Sequence, residues 1–235
     1  MKLSAVVVSP RRTTRFHAVI PVVVLALLLL LSGARLAQAG YVETFDDGLN
    51  SDGWRLTTDP TRLLMVEPDG GNPGAYLHGE VDSAVPTWYV PLGTKPDHFL
   101  GDYALRRVGG LSFDLNIIQG SQVPDRNVTL DLKTTFGTGD FSQGVDAYYL
   151  GADISRLPVG WNTYSFPLNA TSPTIPPGWV VTKGNGKPGT DADWQALMQD
   201  VETLGLELGT PGYFYPFFFW ELGLDNVRIA RQYRP

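Results

Sequence analysis

Two acidic segments near the ends of the chain have the composition of a site for a hard cation. Asp46 and Asp47 lie near the start, in an FDDG segment, and Asp225 lies near the finish, in an LDNV segment. Strand alternation turns Asp225, Val227 and Ile229 to one face, which predicts a carboxylate inside the core. A buried carboxylate is unfavourable unless a cation or hydrogen-bond donors compensate it. The pattern predicts that the terminal strands meet around a hard cation.

Catalytic chemistry finds little support in the sequence. His78 and His98 are the only histidines after position 39, and neither has an evident nucleophile partner. The chain has no G-x-S-x-G elbow, H-E-x-x-H zinc motif or phosphate-binding loop. Two acids suffice for glycoside hydrolysis, so a glycosidase stays open as the least favoured alternative. The nearest acid pair, Glu80 and Asp82, is explained more simply as a solvated strand edge.

Residues 1–39 have the order of a secretory signal peptide. They contain no acidic residue and five basic ones, most of which precede an apolar run from Ala18 to Leu31. Small residues at 37–39 then suit cleavage. The apolar run is shorter than the ~20 residues of a membrane span, and an uncleaved anchor is the alternative. We expect the mature chain, 40–235, to be extracellular or periplasmic, without a membrane segment of its own.

The mature chain is acidic and has no cysteine. Its 24 acidic and 13 basic residues disfavour nucleic acid and anionic membranes as partners and are compatible with hard cations. The lack of cysteine excludes disulfides, zinc–thiolate sites and cysteine nucleophiles. A chain of 196 residues suits a single β-rich domain held together by its core.

Alternating apolar residues predict many short β-strands. The clearest lie at 111–117, 128–132, 164–168 and 204–208, with others at 41–46, 62–67, 74–78, 86–91, 146–152 and 222–230. Short strands at this spacing, punctuated by Gly and Pro, predict an all-β fold, an antiparallel β-sandwich or jelly roll. The segment from Pro173 to Gly189 is rich in proline and glycine and is predicted to be a loop.

One segment has helical rather than strand spacing. From Trp194 to Leu204, five apolar residues recur at the period of an amphipathic helix. Thr190 or Asp191 can cap its first turn, and Asp193 adds favourable negative charge there. The pattern predicts one short amphipathic helix within 191–204 that leads directly into a strand.

The aromatic run from Tyr213 to Trp220 is too dense for one strand face to bury. It predicts a platform for sugar rings or an adhesive loop, with Tyr213 and Tyr215 as ligand contacts because their hydroxyls tolerate water. The alternative is that alternate members of the run fill the core beneath the helix. Pro216 makes a regular central strand unfavourable at this point.

Three further aromatic residues are secondary candidates for a ligand-binding surface: Trp88, Tyr89 and Trp179. Trp179 falls in the predicted loop, which favours exposure, whereas Trp88 is better explained as a core anchor. Three other tryptophans have the pattern of core residues, and these are Trp54, Trp161 and Trp194.

The order of several motifs resembles the laminin IV domain, also called laminin B. A WYVP segment at 88–91, an HFLGD segment at 98–102 and a GGLSFDL segment at 109–115 follow the order of that family's motifs. The predicted helix, which begins with Asp193 and Trp194, and the final strand with its LDNV segment also resemble the family's later motifs. The match therefore spans roughly 54–230. Two features depart from the family. The chain lacks the flanking cysteine-rich modules, and it has the aromatic insertion, so a basement-membrane role is not implied.

Laminin IV domains are similar in fold to galactose-binding-like β-sandwiches, a group that includes many carbohydrate-binding modules. Some of those modules begin and end with segments like those around Asp46 and Asp225 and hold a structural calcium ion between them. The resemblance implies these two residues as Ca²⁺ ligands, with Glu43 or Asp47 as substitutes and backbone carbonyls completing the oxygen shell. It also implies that rim loops or the concave face of one sheet contact the ligand.

Together, these patterns predict an exported, non-catalytic binding module with a structural calcium ion. The expected partner is an extracellular or cell-wall glycan. One alternative is an adhesive or structural domain that binds an extracellular surface protein or self-associates through residues 213–220. A glycoside hydrolase is the less favoured alternative.

Overall fold

The computed structural model describes residues 39–57, 61–91 and 98–232. The predicted signal peptide lies outside these residues except for Ala39. Among the described residues, no helix is long and apolar enough to cross a membrane. Two six-stranded sheets, antiparallel throughout their pairings, enclose a common hydrophobic core. The predicted all-β sandwich is therefore confirmed.

Sheet A has the last and longest strand at its centre. Its strands are β1 (Ala39–Glu43), β3 (Thr61–Gly71), β4 (Gly74–Ser83), β6 (Val108–Gln119), β9 (Trp161–Pro167) and β12 (Phe218–Arg231). The strand order is β3-β4-β12-β6-β9, and β1 also pairs with β12. The strand β4 pairs with the first half of β12, and β1 pairs with its second half.

Sheet B packs against sheet A and carries the most regular alternation. Its strands are β2 (Arg55–Leu56), β5 (Thr87–Val90), β7 (Asn127–Thr134), β8 (Val145–Asp153), β10 (Trp179–Lys183) and β11 (Thr203–Leu208). Their order is β10-β8-β7-β11-β5-β2. Leu130 and Leu132 of β7, and Leu204 and Leu206 of β11, are fully buried in the core. Their neighbours in sequence therefore face outward.

Tryptophans and leucines fill the space between the two sheets. Trp54, Trp88, Trp194 and Trp220 are fully buried and belong to the common core. Each buried side chain of this class contributes about 2 kcal/mol or more of hydrophobic stabilisation relative to an exposed one. Because the chain has no disulfide, this core is the main source of stability in the described residues.

The predicted helix is present but shorter than its apolar spacing indicates. Two helices are described, α1 (Tyr103–Arg106) and α2 (Asp191–Gln199). Thr190 caps α2 in a capping box with Asp193, which satisfies two backbone N–H groups that the helix leaves free. The helix ends at Asp200, whose φ of −153° and ψ of 69° are not helical. The N–H of Asp200 donates to the carbonyl of Leu197. The last predicted helical positions lie in a bridge to residue 101 and in β11.

One strand lies inside the predicted loop 173–189. Strand β10 pairs with the edge of β8, and its residues alternate, with Trp179 and Val181 buried and Val180 exposed. The alternation covers only five residues between glycines and prolines, too short a run to stand out in the sequence. The loop prediction was wrong for this stretch.

Trp161 does not lie in the core, contrary to its predicted role. It lies half-buried on the outer face of sheet A, where its indole N–H donates to the Gly70 carbonyl at 2.8 Å. Its ring packs edge-on against Tyr76, with 5.4 Å between centroids. Both rings lie above Gly223, where a Cβ would come within 2.8 Å of Trp161 and 2.9 Å of Tyr76. The outer face of sheet A is thus partly covered by aromatic side chains.

Candidate functional site

The β3–β4 hairpin closes over the last strand and brings three distant segments together. Oδ1 of Asp46 accepts the backbone N–H of Ala75 at 3.0 Å, and Oδ2 of Asp225 accepts the backbone N–H of Asn72 at 2.7 Å. The side-chain amide of Asn226 donates to the Asn72 carbonyl at 2.5 Å. We call this group the terminal cluster: Asp46, Asn72, Asp114, Asp225 and Asn226.

Asp114 of β6 contributes a third carboxylate to the terminal cluster. Its Oδ2 accepts the side-chain amides of Asn72 at 3.1 Å and Asn226 at 2.9 Å. Burial raises the pKa of Asp225 to about 6, and the charges of Asp114 and Asp46 add to this rise. Two backbone N–H groups that bond to Asp225 act in the opposite direction. The hydrogen bonds therefore leave negative charge in the cluster uncompensated.

Asp225 is buried as predicted, but on the opposite side of β12 from the core. The register of β12 against β6 shifts between Asp225 and Arg228, and Asn226 has a φ of 49°. Such a bulge inserts extra residues and reverses the alternation. Leu224 and Val227 both belong to the core, so Asp225 does not share a face with Val227. The β3–β4 hairpin, rather than the core, covers its carboxylate.

Glu43 and Asp47, the predicted substitute ligands, make other contacts. Oε1 of Glu43 accepts the N–H of Phe45 at 3.2 Å, and its Oε2 accepts the hydroxyl of Tyr41 at 3.3 Å. Burial raises the pKa of Glu43 to about 7, with a further rise from its hydrogen bond to Asp52. Asp47 is exposed and accepts the N–H of Leu49 at 2.9 Å in a local turn. Neither residue makes a hydrogen bond to the terminal cluster.

The residues of the terminal cluster fit a hard cation. Their side chains offer carboxylate and amide oxygens, the ligand class that Ca²⁺ takes. The Asp46 carboxylate occupies the space beside Gly74 that a side chain would need. A Cβ at position 74 would lie 2.2 Å from Asp46 Oδ1, and the backbone φ of +94° is one that residues with side chains rarely adopt. Among the predicted ligands, the structure thus brings Asp46 and Asp225 into one cluster and adds Asp114.

The aromatic run 213–220 divides into a buried and an exposed set. Tyr215 and Trp220 are buried, whereas Tyr213, Phe214 and Phe217 are 54%, 93% and 74% exposed. The hydroxyl of Tyr215 donates to the Asp125 carbonyl at 2.6 Å. Tyr215 is therefore a structural residue rather than a ligand contact, which corrects the prediction for it.

A buried arginine, rather than the helix, explains why part of the run is inside. Arg126 is fully buried, and its guanidinium lies 4.1 Å from the ring centroid of Tyr215 and 4.8 Å from that of Trp220. It donates to the carbonyls of Leu208 and Ala84. Burial lowers the pKa of Arg126, and the two carbonyls and two aromatic faces stabilise its charge, since no carboxylate of the described residues pairs with it.

Two of the three secondary aromatic candidates lie in the core. Trp88 is fully buried, and Trp179 is buried with its ring 5.2 Å from that of Trp194. The prediction that they contact a ligand was wrong, because strand alternation turns both side chains inward. Tyr89 is half-buried and faces outward from β5. It lines a cleft on sheet B.

The outer face of sheet B forms the floor of a cleft of about 840 Å³, here called the sheet-B cleft. The strand register places the outward residues in rows across the sheet. Asp131 of β7 is opposite Gly205 of β11, which is opposite Tyr89 of β5. In the adjacent row, Lys133 is flanked by Asp146 of β8 and by Thr203 of β11. Four strands therefore supply one continuous polar floor.

Gly205 leaves a gap at the centre of that floor. A Cβ at this position would lie 3.5 Å from Cγ2 of Thr87 and 3.6 Å from Oδ2 of Asp131, which are ordinary contact distances. The fold around it would therefore accept a side chain without strain. The open space above Gly205, between Asp131 and Tyr89, is available to a flat ligand.

The floor carries a compact group of charges. The Lys133 ammonium lies 2.6 Å from Oδ2 of Asp131 and 3.3 Å from Oδ2 of Asp146. Burial raises the pKa of Asp131 well above its usual range, and its hydrogen bond with Asp146 adds to this effect. Burial also raises the pKa of Glu207, the third carboxylate of the floor. Burial opposes the charge on Lys133, but the two aspartates outweigh it and raise its pKa.

Loops at the ends of the strands form the walls of the sheet-B cleft. One wall contains a 3₁₀ turn, Phe141–Gln143, and Phe141 is 53% exposed at the cleft. The end of β10 contributes Lys183, and Pro91 follows β5 on the other side. The cleft thus combines the exposed ring of Phe141 on one side with Tyr89 and hydrogen-bonding groups on its floor.

The sequence interpretation named Tyr89 among the cleft residues and missed the others. The strands that carry Asp131, Lys133 and Glu207 were predicted from their alternation. The sequence therefore already indicated that these three side chains point away from the core. The signal that could have found them is their charge, since three charged side chains on two adjacent inner strands are unusual away from a solvated edge. The sequence alone does not place the two strands side by side.

Comparisons with known proteins give similarity in fold only. No protein-family model matches the sequence, and no curated protein matches it. Solved structures that are similar to this chain include the CBM22-1–GH10 modules of an endo-1,4-β-D-xylanase of Clostridium thermocellum complexed with xylohexaose. Its sequence is 16% identical to this chain, and the TM-score is 0.46. That match covers 82% of this chain and 28% of the xylanase chain.

Two single modules of Clostridium thermocellum cellulosomal cellulases match over most of their length. The family 11 carbohydrate-binding module is 13% identical, with a TM-score of 0.44, and the match covers 83% of this chain and 97% of the module. The family 30 module is 14% identical, with a TM-score of 0.42, and the match covers 83% of this chain and 92% of the module. An exo-β-agarase also matches, with 24% of its chain covered. These likenesses do not carry a function to this chain, and the resemblance to laminin IV stays a prediction.

Proposed function

We propose that the protein is an exported, non-catalytic module that binds neutral glycans in the sheet-B cleft. The observation that carries this proposal is the floor of the cleft, where Gly205 leaves an open space between Asp131 and Tyr89. Carbohydrate rings have apolar faces and a rim of hydroxyl groups. They therefore need a flat space bordered by both aromatic surface and hydrogen-bonding side chains, and the cleft has both.

The charges of the floor favour hydroxyl groups over ionic ligands. Lys133 is held between Asp131 and Asp146, so its charge is already neutralised. The carboxyl groups, by contrast, have free positions for sugar hydroxyls, because an ionised carboxylate accepts up to about four hydrogen bonds and a protonated one both donates and accepts. Together with the acidic excess of the mature chain, this makes uronic-acid polymers and nucleic acids unfavourable ligands.

The same contacts favour binding over hydrolysis. Glycosidases keep their two carboxyl groups about 5–9.5 Å apart, with room for the sugar or a water between them. Asp131 and Asp146 instead hydrogen-bond to each other and share one lysine. The Lys133 ammonium contacts both carboxylates, where a glycosidase would hold the sugar or a water, which supports the assignment of a non-catalytic role.

We further propose that the terminal cluster holds a structural calcium ion. Asp46 and Asp225 would be ligands, and Asp114 and Asn72 lie close enough to contribute to the shell. When bound, the ion supplies positive charge that offsets the repulsion among the three carboxylates. It would stabilise the junction between the N-terminal turn, the β3–β4 hairpin and β12. Export through the predicted signal peptide is part of the same proposal.

The test of glycan binding uses a variant that fills the gap in the cleft. We expect the wild-type protein to bind one or more neutral polysaccharides in a panel of xylans, β-glucans and mannans, measured by affinity electrophoresis and calorimetry. Gly205→Val should abolish this binding with little change in the melting temperature, because the Cβ at this position makes only ordinary contacts. Ser165→Val on the exposed outer face of sheet A is the matched control and should bind normally.

The outcomes of this experiment separate the proposals. Binding that persists in Gly205→Val would place the ligand elsewhere. Failure of the wild type to bind any polysaccharide of the panel would overturn the glycan assignment. Release of reducing sugar that disappears with Glu207→Gln would instead favour the hydrolase alternative.

A second candidate function is adhesion to a surface protein or to another copy of the chain. It is favoured by the exposed side chains of Tyr213, Phe214 and Phe217, which lie in one loop and do not line the sheet-B cleft. Adjacent exposed aromatic residues are typical of an interaction surface. Sedimentation at high concentration tests it, because a monomer that is unaffected by Phe214→Ser with Phe217→Ser would contradict self-association.

A further inference from the structure

A histidine and three glutamates form a second cluster on the outer face of sheet A. Within the described residues, one nitrogen of His78 and one oxygen each of Glu80 and Glu221 lie within 4.8 Å of one another. Glu67 completes the group, with its Oε1 3.5 Å from Nδ1 of His78. These residues come from β3, β4 and β12, which are adjacent in the sheet, and we call them the His78 cluster.

The cluster is built from strand register rather than from a flexible loop. His78 and Glu80 are two residues apart on β4, so both point to the same side of the sheet. Glu80 lies directly opposite Glu221 of β12 in the strand pairing. The ligand atoms are thus held by two adjacent hydrogen-bonded strands, β4 and β12, which limits the entropy that would be lost when an ion orders them.

The imidazole of His78 is enclosed by carboxylates. Its residue is only 8% exposed, and Nε2 lies 3.2 Å from Oε1 of Glu221. On the other side, Nδ1 is buried and makes no hydrogen bond, and Oε1 of Glu67 lies 3.5 Å from it. A neutral imidazole cannot donate from both nitrogens at once. One nitrogen would therefore present a lone pair to a carboxylate unless a second proton or a metal ion lies between them.

A metal ion at Nε2 resolves this arrangement. With Nε2 bound to the ion, the proton lies on Nδ1 and points towards Glu67. Metal-binding histidines commonly donate their other N–H to a carboxylate, which fixes the orientation of the ring. Glu80 and Glu221 would then be the carboxylate ligands, and Glu67 would be the positioning residue for the histidine.

The chemistry of the cluster selects a class of metal. Imidazole together with carboxylates suits Zn²⁺ and neighbouring transition metals, whereas Ca²⁺ takes oxygen ligands only. Zinc bonds to nitrogen and oxygen are about 2.0–2.2 Å, so ligand atoms in tetrahedral positions are roughly 3.5 Å apart. The present separations, at most 4.8 Å, require only small side-chain movements. Glu67 and Glu221 have side chains that are 33% and 28% exposed, which leaves a path from solvent.

We propose that His78, Glu80 and Glu221 form a binding site for a divalent transition metal such as Zn²⁺, with Glu67 holding the histidine in place. The site is separate from the calcium proposed for the terminal cluster, and it does not depend on the glycan-binding proposal. Its position on sheet A, the opposite sheet from the glycan cleft, assigns it a structural role in joining β3, β4 and β12.

The experiment titrates untagged, metal-free protein with ZnCl₂ in a calorimeter, in buffer that contains excess Ca²⁺. We expect one Zn²⁺ per chain. His78→Gln should remove the binding, and Glu80→Gln should do so independently, which guards against a variant that fails to fold. Glu67→Gln should weaken binding by about 10-fold or more while keeping the stoichiometry, as loss of a carboxylate partner of a metal-binding histidine usually does. Titration with CoCl₂ should give visible absorption from a nitrogen-bound ion that His78→Gln lacks.

His98→Gln is the matched control, because His98 is the other histidine of the described residues and its Nδ1 contacts Asp52 instead. It should bind Zn²⁺ as the wild type does. The proposal is overturned if wild-type protein binds no Zn²⁺, or if His78→Gln binds it as tightly as the wild type. It is also overturned if Glu80→Gln has no effect, since the ion would then be held elsewhere.

Discussion

The backbone N–H of Asn72 donates to Oδ2 of Asp225 at 2.7 Å, although 153 positions separate the two residues. This bond joins the tip of the β3–β4 hairpin to the bulge of β12. The other oxygen, Oδ1, accepts the backbone N–H of Asn226 at 2.6 Å, so both oxygens of Asp225 are oriented by the backbone rather than by flexible side chains. The position of the proposed calcium ligand is therefore set by the sheet itself.

We expect calcium to stabilise the protein and Asp225→Asn to abolish that response. An ion that binds only the folded state at about 100 times its Kd adds ~2.7 kcal/mol. For a domain of this size, this corresponds to a rise of roughly 5–10 °C in Tm. Thermal melting in EGTA and then in excess CaCl₂ measures the effect. Asp153→Asn, an exposed strand residue, should keep the full response, and an unchanged Tm in the wild type would contradict the site.

Replacing Arg126 should destabilise the fold strongly. Arg126→Ala leaves two buried carbonyls without their donor and opens a gap between Tyr215 and Trp220, so we expect a loss of about 3 kcal/mol in the free energy of unfolding. Arg126→Lys should recover little of it, because an ammonium does not match the planar stacking of the guanidinium. Urea denaturation provides the measurement. Arg156→Ala, an exposed control, should change stability by less than about 0.5 kcal/mol.

Glu43 should make the stability fall as the pH rises from about 4.5 to 7. Burial, and the hydrogen bond to Asp52, raise its pKa from 4.5 to about 7, so the folded state holds the proton more tightly than the unfolded state. This stabilisation is fully present below the pKa of Glu43 in the unfolded state, and it is lost as the pH rises through the pKa of Glu43 in the folded state. Glu43→Gln stays neutral throughout. Relative to wild type, it should therefore gain on the order of 2–3 kcal/mol between pH 4.5 and 7.5.

Urea denaturation in EGTA across this pH range tests the prediction for Glu43 without interference from metal. The informative quantity is the difference between the two proteins, since carboxylates that do not contact Glu43 affect both in the same way. Two stability curves that run parallel from pH 4.5 to 7.5 would show that Glu43 ionises normally in the folded state.

Lys133→Met should destabilise the protein by about 2–4 kcal/mol, because it leaves two adjacent, largely buried aspartates without their cation. The double variant with Asp131→Asn should recover part of the loss, since it also removes one of the uncompensated charges. Equal stability of the single and double variants would contradict this account. Lys183→Met removes an ion pair whose lysine is 40% exposed, and it should change stability by less than about 1 kcal/mol.

The sequence predicted the strands well where one face of each is buried. Leu111, Phe113 and Leu115 alternate without interruption because β6 lies in the middle of sheet A, and the pattern needs no knowledge of its neighbours. Strand β10 was missed because its alternation is short and lies among prolines and glycines. The sequence predicted an end of α2 that is too late, because the apolar spacing continues to Leu204. The helix itself ends earlier, where the backbone of Asp200 leaves the helical conformation.

The functional residues were predictable only in part, for a different physical reason. Asp46 and Asp225 were paired through a resemblance to other modules, while the alternation of β12 alone placed Asp225 on the wrong face. The bulge at Asn226 depends on a left-handed backbone conformation that the sequence does not signal. The sheet-B cleft depends on which strands become neighbours, and contacts such as Glu207 beside Thr87 follow from topology rather than from local pattern.

The central position of β12 has a consequence for the order in which the protein can fold. This strand pairs with β1, β4 and β6, yet it is the last strand of the described chain to be synthesised. Until it emerges, β4 and β6 have no common neighbour and the middle of sheet A is missing. A nascent chain of this design therefore cannot complete sheet A until β12 has been synthesised.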